Sequence, residues 1–259
     1  MLEQIIATKR NEVKTLTLPP TLTERNRVSL SAALRKSKRS IGLIAEVKKA
    51  SPSKGVIRPD FCPIDIAKAY EQAGVDAISV LTDERYFQGH RQYLADVKQA
   101  VQLPILRKDF IIDRIQIEES VRIGADAILL IGEALPPQML YELYQEAYEK
   151  GLECLVEVHE HQTLENILSL FTPEMIGINN RNLHTFTTSL ETTKEVVPFV
   201  PKESIIVSES GIANAFDLKT VQTYGAHAVL VGESLMKQDD VGLAVHELCK
   251  EVEGVVRPS

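Results

Sequence analysis

Eight short apolar runs recur along this chain, separated by longer stretches that carry one apolar face. The runs are IGLIAEVK (41–48), AISVL (77–81), PILRK (104–108), AILLI (127–131), LECLVEV (152–158), MIGINN (175–180), SIIVSES (204–210) and AVLVGE (228–233). Each is rich in β-formers and bounded by Gly, Pro or Asp, the marks of a strand. Strict alternation with polar residues is missing, so both faces of each strand are covered, as in a parallel sheet. Between them, PIDIAKAYEQAG (63–74) and PQMLYELYQEAYEKG (137–151) open on Pro and close on Gly, the start and stop signals of helices. RIQIEESVRIGA, HQTLENILSLF, SLETTKEVV, NAFDLKTVQTYGA and DVGLAVHELCKEV read the same way. Eight strand–helix units, about 25–30 residues apart, predict the α/β class and a single (β/α)8 TIM barrel. An open doubly wound sheet is the alternative. It lacks support, because no GxGxxG follows the first run and no GxxxxGK[ST] occurs.

The 259 residues suit one barrel, a fold that commonly takes about 250. The expected organisation is one domain over 1–259: an N-terminal helical extension (1–40) covering the barrel mouth, then the barrel (41–259). In the extension, LEQIIATKRNEVKTL and SLSAALRKS read as helices and LPPTL as a break. It is too short to bury a core of its own. The net charge of −7 argues against nucleic-acid binding, which needs a basic face. Any anionic ligand must then be drawn by a local cation cluster. The start, MLEQIIATKRNEV, has no signal-peptide pattern, and no run of 18 apolar residues exists. A cytoplasmic protein with no membrane or nucleic-acid partner is expected. Cys62, Cys154 and Cys249 are scattered and odd in number, so neither a disulfide framework nor a metal site is expected.

Charge interrupts the strands at their C-terminal ends, where barrels of this kind carry chemistry. Glu46 and Lys48 close the first run, and residues two apart on a strand face the same side. Arg107-Lys108-Asp109-Phe110 closes the third, Glu157 sits between apolar neighbours in the fifth, Asn179-Asn180-Arg181-Asn182 closes the sixth, and Ser208-Glu209-Ser210-Gly211 closes the seventh. Each has a bland reading as a solvated sheet edge or a structural ion pair. Five at one end form a ring whose desolvation cost argues for function. Gly211, and Gly232-Glu233-Ser234 after the eighth run, lie where barrels bind phosphate, and Ser51-Pro52-Ser53-Lys54-Gly55 can add a hydroxyl and a cation. Glycines alone would equally suit plain turns. His90, His159, His161, His184, His227 and His246 form no HExxH or Ser/His/Asp pattern, and surface or core positions are expected for them.

Several of these segments resemble a known family. IAEVKKASPSKG (44–55), PILRKDFI (104–111), LVEVH (155–159), IGINNRNL (176–183), SESGI (208–212) and LVGESLM (230–236) are similar, in order and spacing, to the signature segments of indole-3-glycerol phosphate synthases. The resemblance spans essentially the whole chain, and the extension resembles that family's extra helical segment. It implies ring closure, decarboxylation and dehydration of 1-(2-carboxyphenylamino)-1-deoxyribulose 5-phosphate in tryptophan biosynthesis, with no metal or organic cofactor. Lys108 matches the family's general acid and Glu157 its general base. Lys48 resembles the lysine that pairs with the substrate carboxylate, with the division of acid work between the two lysines left open. The surroundings of Glu157 leave its pKa open too: apolar neighbours raise it, a lysine lowers it.

By the same resemblance, Glu46 orients the lysines or the substrate hydroxyls, and Asn179, Glu209 and Ser210 fix the substrate and catalytic side chains. Arg181 is an anion contact. Ser51, Gly211, Gly232 and the Glu233 backbone hold phosphate, while Phe110 and Leu129 pack the anthranilate ring. One departure is Ala50, where some relatives carry a basic residue, so Lys54 or another group is expected to compensate. The expected partner is a phosphorylated small molecule, with the protein a monomer in at most weak contact with other tryptophan-pathway enzymes. The chain ends soon after its eighth helix, so it reads as monofunctional. The rival readings are another sugar-phosphate barrel, such as a phosphoribosylanthranilate isomerase, and a non-catalytic phosphate-ligand-binding barrel. The first would need a Cys/Asp pair at strand ends; the second need not keep Lys108 and Glu157.

Overall fold

A computed structural model describes residues 1–22, 27–182, 187–250 and 252. Eight parallel strands close into a barrel in sequence order. They are β1 (Gly42–Val47), β2 (Ala77–Leu81), β3 (Ile105–Lys108), β4 (Ala127–Ile131), β5 (Glu153–Val158), β6 (Met175–Asn179), β7 (Ile205–Glu209) and β8 (Ala228–Val231). Closure is made by β1 against β8, with Gly42 opposite Ala228 and Ala45 opposite Val231. Residues that the apolar pattern adds at strand ends, such as Lys48, Asn180 and Ser210, lie just past the paired region.

Alternate residues of each strand enter two different cores. Ile44, Ala77, Leu106, Leu129, Leu155, Met175, Val207 and Leu230 fill the barrel interior. Their neighbours Leu43, Ile78, Ile105, Ile128, Val156, Ile176, Ile206 and Val229 pack outward against the helices. Each such burial contributes roughly 1.5–3 kcal/mol, so apolar residues are selected at both parities. That is why the runs do not alternate.

The outer ring comprises α3 (Pro63–Gln72), α4 (Arg91–Ala100), α5 (Arg114–Arg122), α6 (Pro137–Glu149), α7 (His161–Leu168), α8 (Glu191–Val196), α9 (Ala215–Thr223) and α10 (Val241–Cys249), with α1 and α2 preceding the barrel. Helix α4 lacks the Pro start and Gly stop of α3 and α6; its N-cap is the His90 ring, which accepts from the Gln92 N–H. A small hairpin, Ala50–Ser51 with Gly55–Val56, stands in the loop after β1. Among the described residues no helix is long and apolar enough to cross a membrane.

The segment before β1 reaches both ends of the barrel. Helix α1 (Leu2–Thr15) lies at the mouth. Its Lys9 is buried, with Nζ 2.9 Å from Asp83 and 3.0 Å from Asp109, residues just past β2 and β3. Helix α2 (Leu30–Arg35) lies instead at the floor. Leu30 and Leu34 join the interior cluster, and Glu153, the first residue of β5, accepts from the Ser31 N–H at 2.8 Å. Between them the chain runs down the flank, where the Leu22 N–H donates to the Arg122 carbonyl at 2.7 Å. The Val28 N–H donates to Asp126 at 2.9 Å. Among the described residues of the extension, α1 alone covers the mouth; residues 23–26 lie outside them.

Candidate active site

The parity that fills the interior also carries chemistry to the rim. Counting in twos from Ile44 reaches Glu46 and Lys48; from Leu106, Lys108 and Phe110; from Leu155, Glu157; from Met175, Gly177 and Asn179; from Val207, Glu209 and Gly211; from Leu230, Gly232. All of these but Gly177 line one pocket.

Its floor is an ion cluster. Lys108 Nζ is 2.8 Å from Glu157 Oε2 and 3.3 Å from Glu209 Oε2. Burial alone would lower the Lys108 pKa, but Glu157, Glu209 and Glu46 outweigh it and hold the ammonium above the ordinary lysine range. Burial likewise favours protonation of both carboxyls. At Glu157 it is overcome by Lys108 and His159, and the pKa falls. At Glu209 burial prevails, reinforced by the Glu157 charge, and the pKa rises. Two buried carboxyls that share one ammonium titrate as a pair, and their surroundings push the two pKa values apart. The second cation, Lys48, is paired with Glu46 at 2.6 Å.

Two glycines make room for these acids. A Cβ on Gly177 would stand 2.2 Å from Glu209 Oε1, and one on Gly232 2.5 Å from Glu46 Oε1. Ser210 has φ +66°, in the left-handed region that costs a non-glycine residue of order 1–3 kcal/mol; the turn hands the chain to Gly211, itself at φ +82°.

One side of the pocket is polar: Ser51, Ser53, Arg181, Ser210, Gly211, Gly232, Glu233 and Ser234. The Ser51 hydroxyl is buried without a hydrogen-bond partner among the described residues. The Arg181 guanidinium reaches across to the Ser53 hydroxyl at 2.9 Å. The Glu233 carboxylate lies between Lys237 at 2.7 Å and Arg181 at 3.6 Å. The opposite side is apolar, with Leu81, Phe87, Phe110, Leu129 and Ile131, roofed by Met1, Leu2 and Ile5 of α1. Phe87 and Phe110 are in ring contact, their centroids 6.1 Å apart.

The sequence profile described as "Indole-3-glycerol phosphate synthase" matches residues 2–248. The chain belongs to the indole-3-glycerol phosphate synthase family. A relative of that name from Geobacillus sp. (strain WCH70) is 77% identical over 258 residues, 100% of both chains. Another, from Priestia megaterium, is 59% identical over 98% of this chain and 99% of its own. Among solved structures, a thiamine phosphate pyrophosphorylase from Pyrococcus furiosus superposes with a TM-score of 0.60 at 17% identity. It covers 82% of this chain and 96% of its own, and that likeness concerns the fold alone.

All fourteen candidate positions of this family member meet at one pocket: Glu46, Lys48, Ser51, Lys108, Phe110, Leu129, Glu157, Asn179, Arg181, Glu209, Ser210, Gly211, Gly232 and Glu233. Other residues of the expected charge ring are held mainly by partners outside the pocket, though Asp109 also touches its edge. Arg107 and Asp109 have the outward parity. Arg107 donates to Glu119 at 2.7 Å and Asp109 at 3.2 Å, and Asp109 accepts from Thr82 at 2.6 Å. Asn180 also points outward, to Ser208 and Thr193. Lys54 is exposed and off the pocket lining, although its charge acts on Glu233; Arg181 lies in the lining on that side. Leu183 and His184 lie outside the described residues. Cys154 is buried with the outward parity and Cys62 is exposed, so neither sits at the mouth as the isomerase reading needs.

Sequence reasoning missed Met1, Leu2, Ile5, Leu81 and Phe87 as pocket walls. No local pattern could reveal α1 there, although inward parity pointed to Leu81. His159, expected at the surface or in the core, stands beside Glu157 with Nε2 3.7 Å from Oε1. Its spacing of two from Glu157 was a usable signal.

Proposed function

We propose that this pocket converts 1-(2-carboxyphenylamino)-1-deoxyribulose 5-phosphate to indole-3-glycerol phosphate, CO2 and water, with Lys108 as general acid and Glu157 as general base. The overall reaction follows from family membership; the observation that carries the roles is the 2.8 Å contact of ammonium and carboxylate at the floor of a two-sided pocket. An aromatic ring lies on the apolar side against Phe110 and Leu129. Phosphate lies at the Ser51, Gly211 and Gly232 turns beside Arg181, using the Glu233 backbone while its carboxylate is held by Lys237 and Arg181.

The aryl carbon then attacks the C2 carbonyl. Lys108, held protonated by its acid neighbours, donates to the carbonyl oxygen as charge develops there. Loss of CO2 restores the aromatic ring. The new hydroxyl takes a second proton and leaves as water, while Glu157 removes one. Two protons in and one out balance the single proton that the reaction consumes. Glu157 suits this role because its carboxyl is ionised. Lys48, screened by Glu46, faces the substrate carboxylate and supplies the dehydration proton. Glu209, with Asn179 and Ser210, fixes Lys108 and the substrate.

The test is direct. With the carboxyphenylamino substrate, indole fluorescence should rise without added metal or cofactor. Glu157→Gln should lower kcat by about a hundredfold or more, the scale of a lost base. Near-wild-type turnover by Glu157→Gln would remove the assignment.

A further inference from the structure

One titratable group at this site has no part in the steps above. His159 follows Glu157 by two residues and shares its inward parity, yet it lies outside the pocket lining. Its Nδ1 is 3.0 Å from Glu133 Oε2, and Glu133 Oε1 accepts the His159 backbone N–H at 2.9 Å. One carboxylate, in the helical turn Gly132–Ala134 beyond β4, therefore clamps both ring and backbone. The ring edge left over, Nε2, is buried without a hydrogen-bond partner among the described residues and faces Glu157 at 3.7 Å.

Two groups can thus set positive charge against Glu157: Lys108 at 2.8 Å and His159 at 3.7 Å. During ring closure Lys108 gives its proton to substrate. A buried carboxylate that loses its cation takes up a proton instead, and Glu157 could then accept nothing. His159 is the cation that stays. We propose that His159, held by Glu133, is a positioning residue that keeps Glu157 oriented and ionised while Lys108 is engaged with the substrate. This rests on the acid and base roles given to Lys108 and Glu157.

The groups facing the ring favour an imidazolium. Glu133, Glu157 and Glu209 are acids, and the ammonium of Lys108 lies beyond Glu157. Burial opposes protonation of the ring, but the Glu133 hydrogen bond and the Glu157 charge prevail, and the His159 pKa is raised.

The experiment is the pH dependence of His159→Asn. In the enzyme–substrate complex, reported by kcat, Lys108 is engaged; in the free enzyme, reported by kcat/KM, it still pairs with Glu157. The acidic limb of kcat should therefore move up by about one pH unit, as for an opposite charge lost within 4–6 Å, and the limb of kcat/KM by less. Glu133→Gln should act in the same direction but less strongly, and it decides alone if His159→Asn does not fold. A packing role would lower activity and leave both limbs in place. Unmoved limbs in an active, folded variant overturn the proposal. Glu157→Gln separates the two failures: if it is crippled while the limbs stay put, only the His159 role falls; if it turns over normally, the base assignment falls first.

Discussion

Replacing Lys9 by Met isolates what holds α1 over the pocket. The Lys9 ammonium is buried between Asp83 (2.9 Å) and Asp109 (3.0 Å), with Glu12 at 2.8 Å on the same helix. Met keeps an apolar stem of similar length and removes the charge. At about 3 Å and an effective dielectric near 20, each pair attracts by about 5 kcal/mol before desolvation. Desolvation cancels much of that, and removing one side of a buried pair costs about 3–5 kcal/mol. Asp109 keeps Arg107 at 3.2 Å and Thr82 at 2.6 Å, so the lower end, about 3 kcal/mol, is expected at neutral pH. With a urea slope of about 2–3 kcal/mol per molar, the unfolding midpoint should fall by about 1 M.

The pH dependence carries the sign. Burial would raise the Asp109 pKa, but Lys9 and Arg107 hold it down at about 2. A depressed carboxylate stabilises the fold above the unfolded value, about 3.9 for Asp, and that stability is lost as pH falls toward the folded value. The gap between wild type and Lys9→Met should thus be full above about pH 4 and narrow below it. KM should rise, since Met1, Leu2 and Ile5 line the pocket from this helix. A loss under about 0.5 kcal/mol, the range of an ordinary surface substitution, or a gap that stays constant into acid, would refute the reasoning.

Lys108→Ala and Lys48→Ala should each lower kcat by at least about a hundredfold; steady-state fluorescence with near-wild-type turnover in both would remove their roles. Gly177→Ala should sharply reduce kcat in the same assay, because the added Cβ stands 2.2 Å from Glu209 Oε1, with Leu155 at 3.4 Å, and pushes Glu209 off Lys108. Inorganic phosphate or sulfate should inhibit competitively at millimolar levels or below, and Arg181→Ala should weaken that inhibition by about 3–10-fold, the scale of one partly exposed charged contact. Indifference to both anions would count against the phosphate position.

The sequence carried the barrel because eight apolar runs with Pro and Gly punctuation leave little else to build. Helix α4 escaped because its cap is a histidine ring, a weak start signal. Lys108 and Glu157 were legible from position and resemblance. Arg107 and Asp109 looked alike in charge but differ from Lys108 by one residue of parity, which turns them toward the helices and Lys9. Charge at a strand end is thus informative only with its phase. The location of α2 beneath Ile44 and Met175 depends on long-range packing that no window of sequence contains. Glu157 and Glu209 differ by only 0.5 Å in their distances to one ammonium, a distinction beneath the resolution of any motif.

The leading segment that touches both rims has a bearing on how the molecule assembles. Residues 2–35 leave the ribosome before any barrel strand does, yet α2 needs an interior that includes Val207 and Leu230, from the last two strands of the barrel. The cylinder shuts only when Gly42 meets Ala228. Translation therefore delivers the stopper and the lid well before there is a vessel to fit them, and docking of both waits on contacts of the greatest sequence separation, the slow kind.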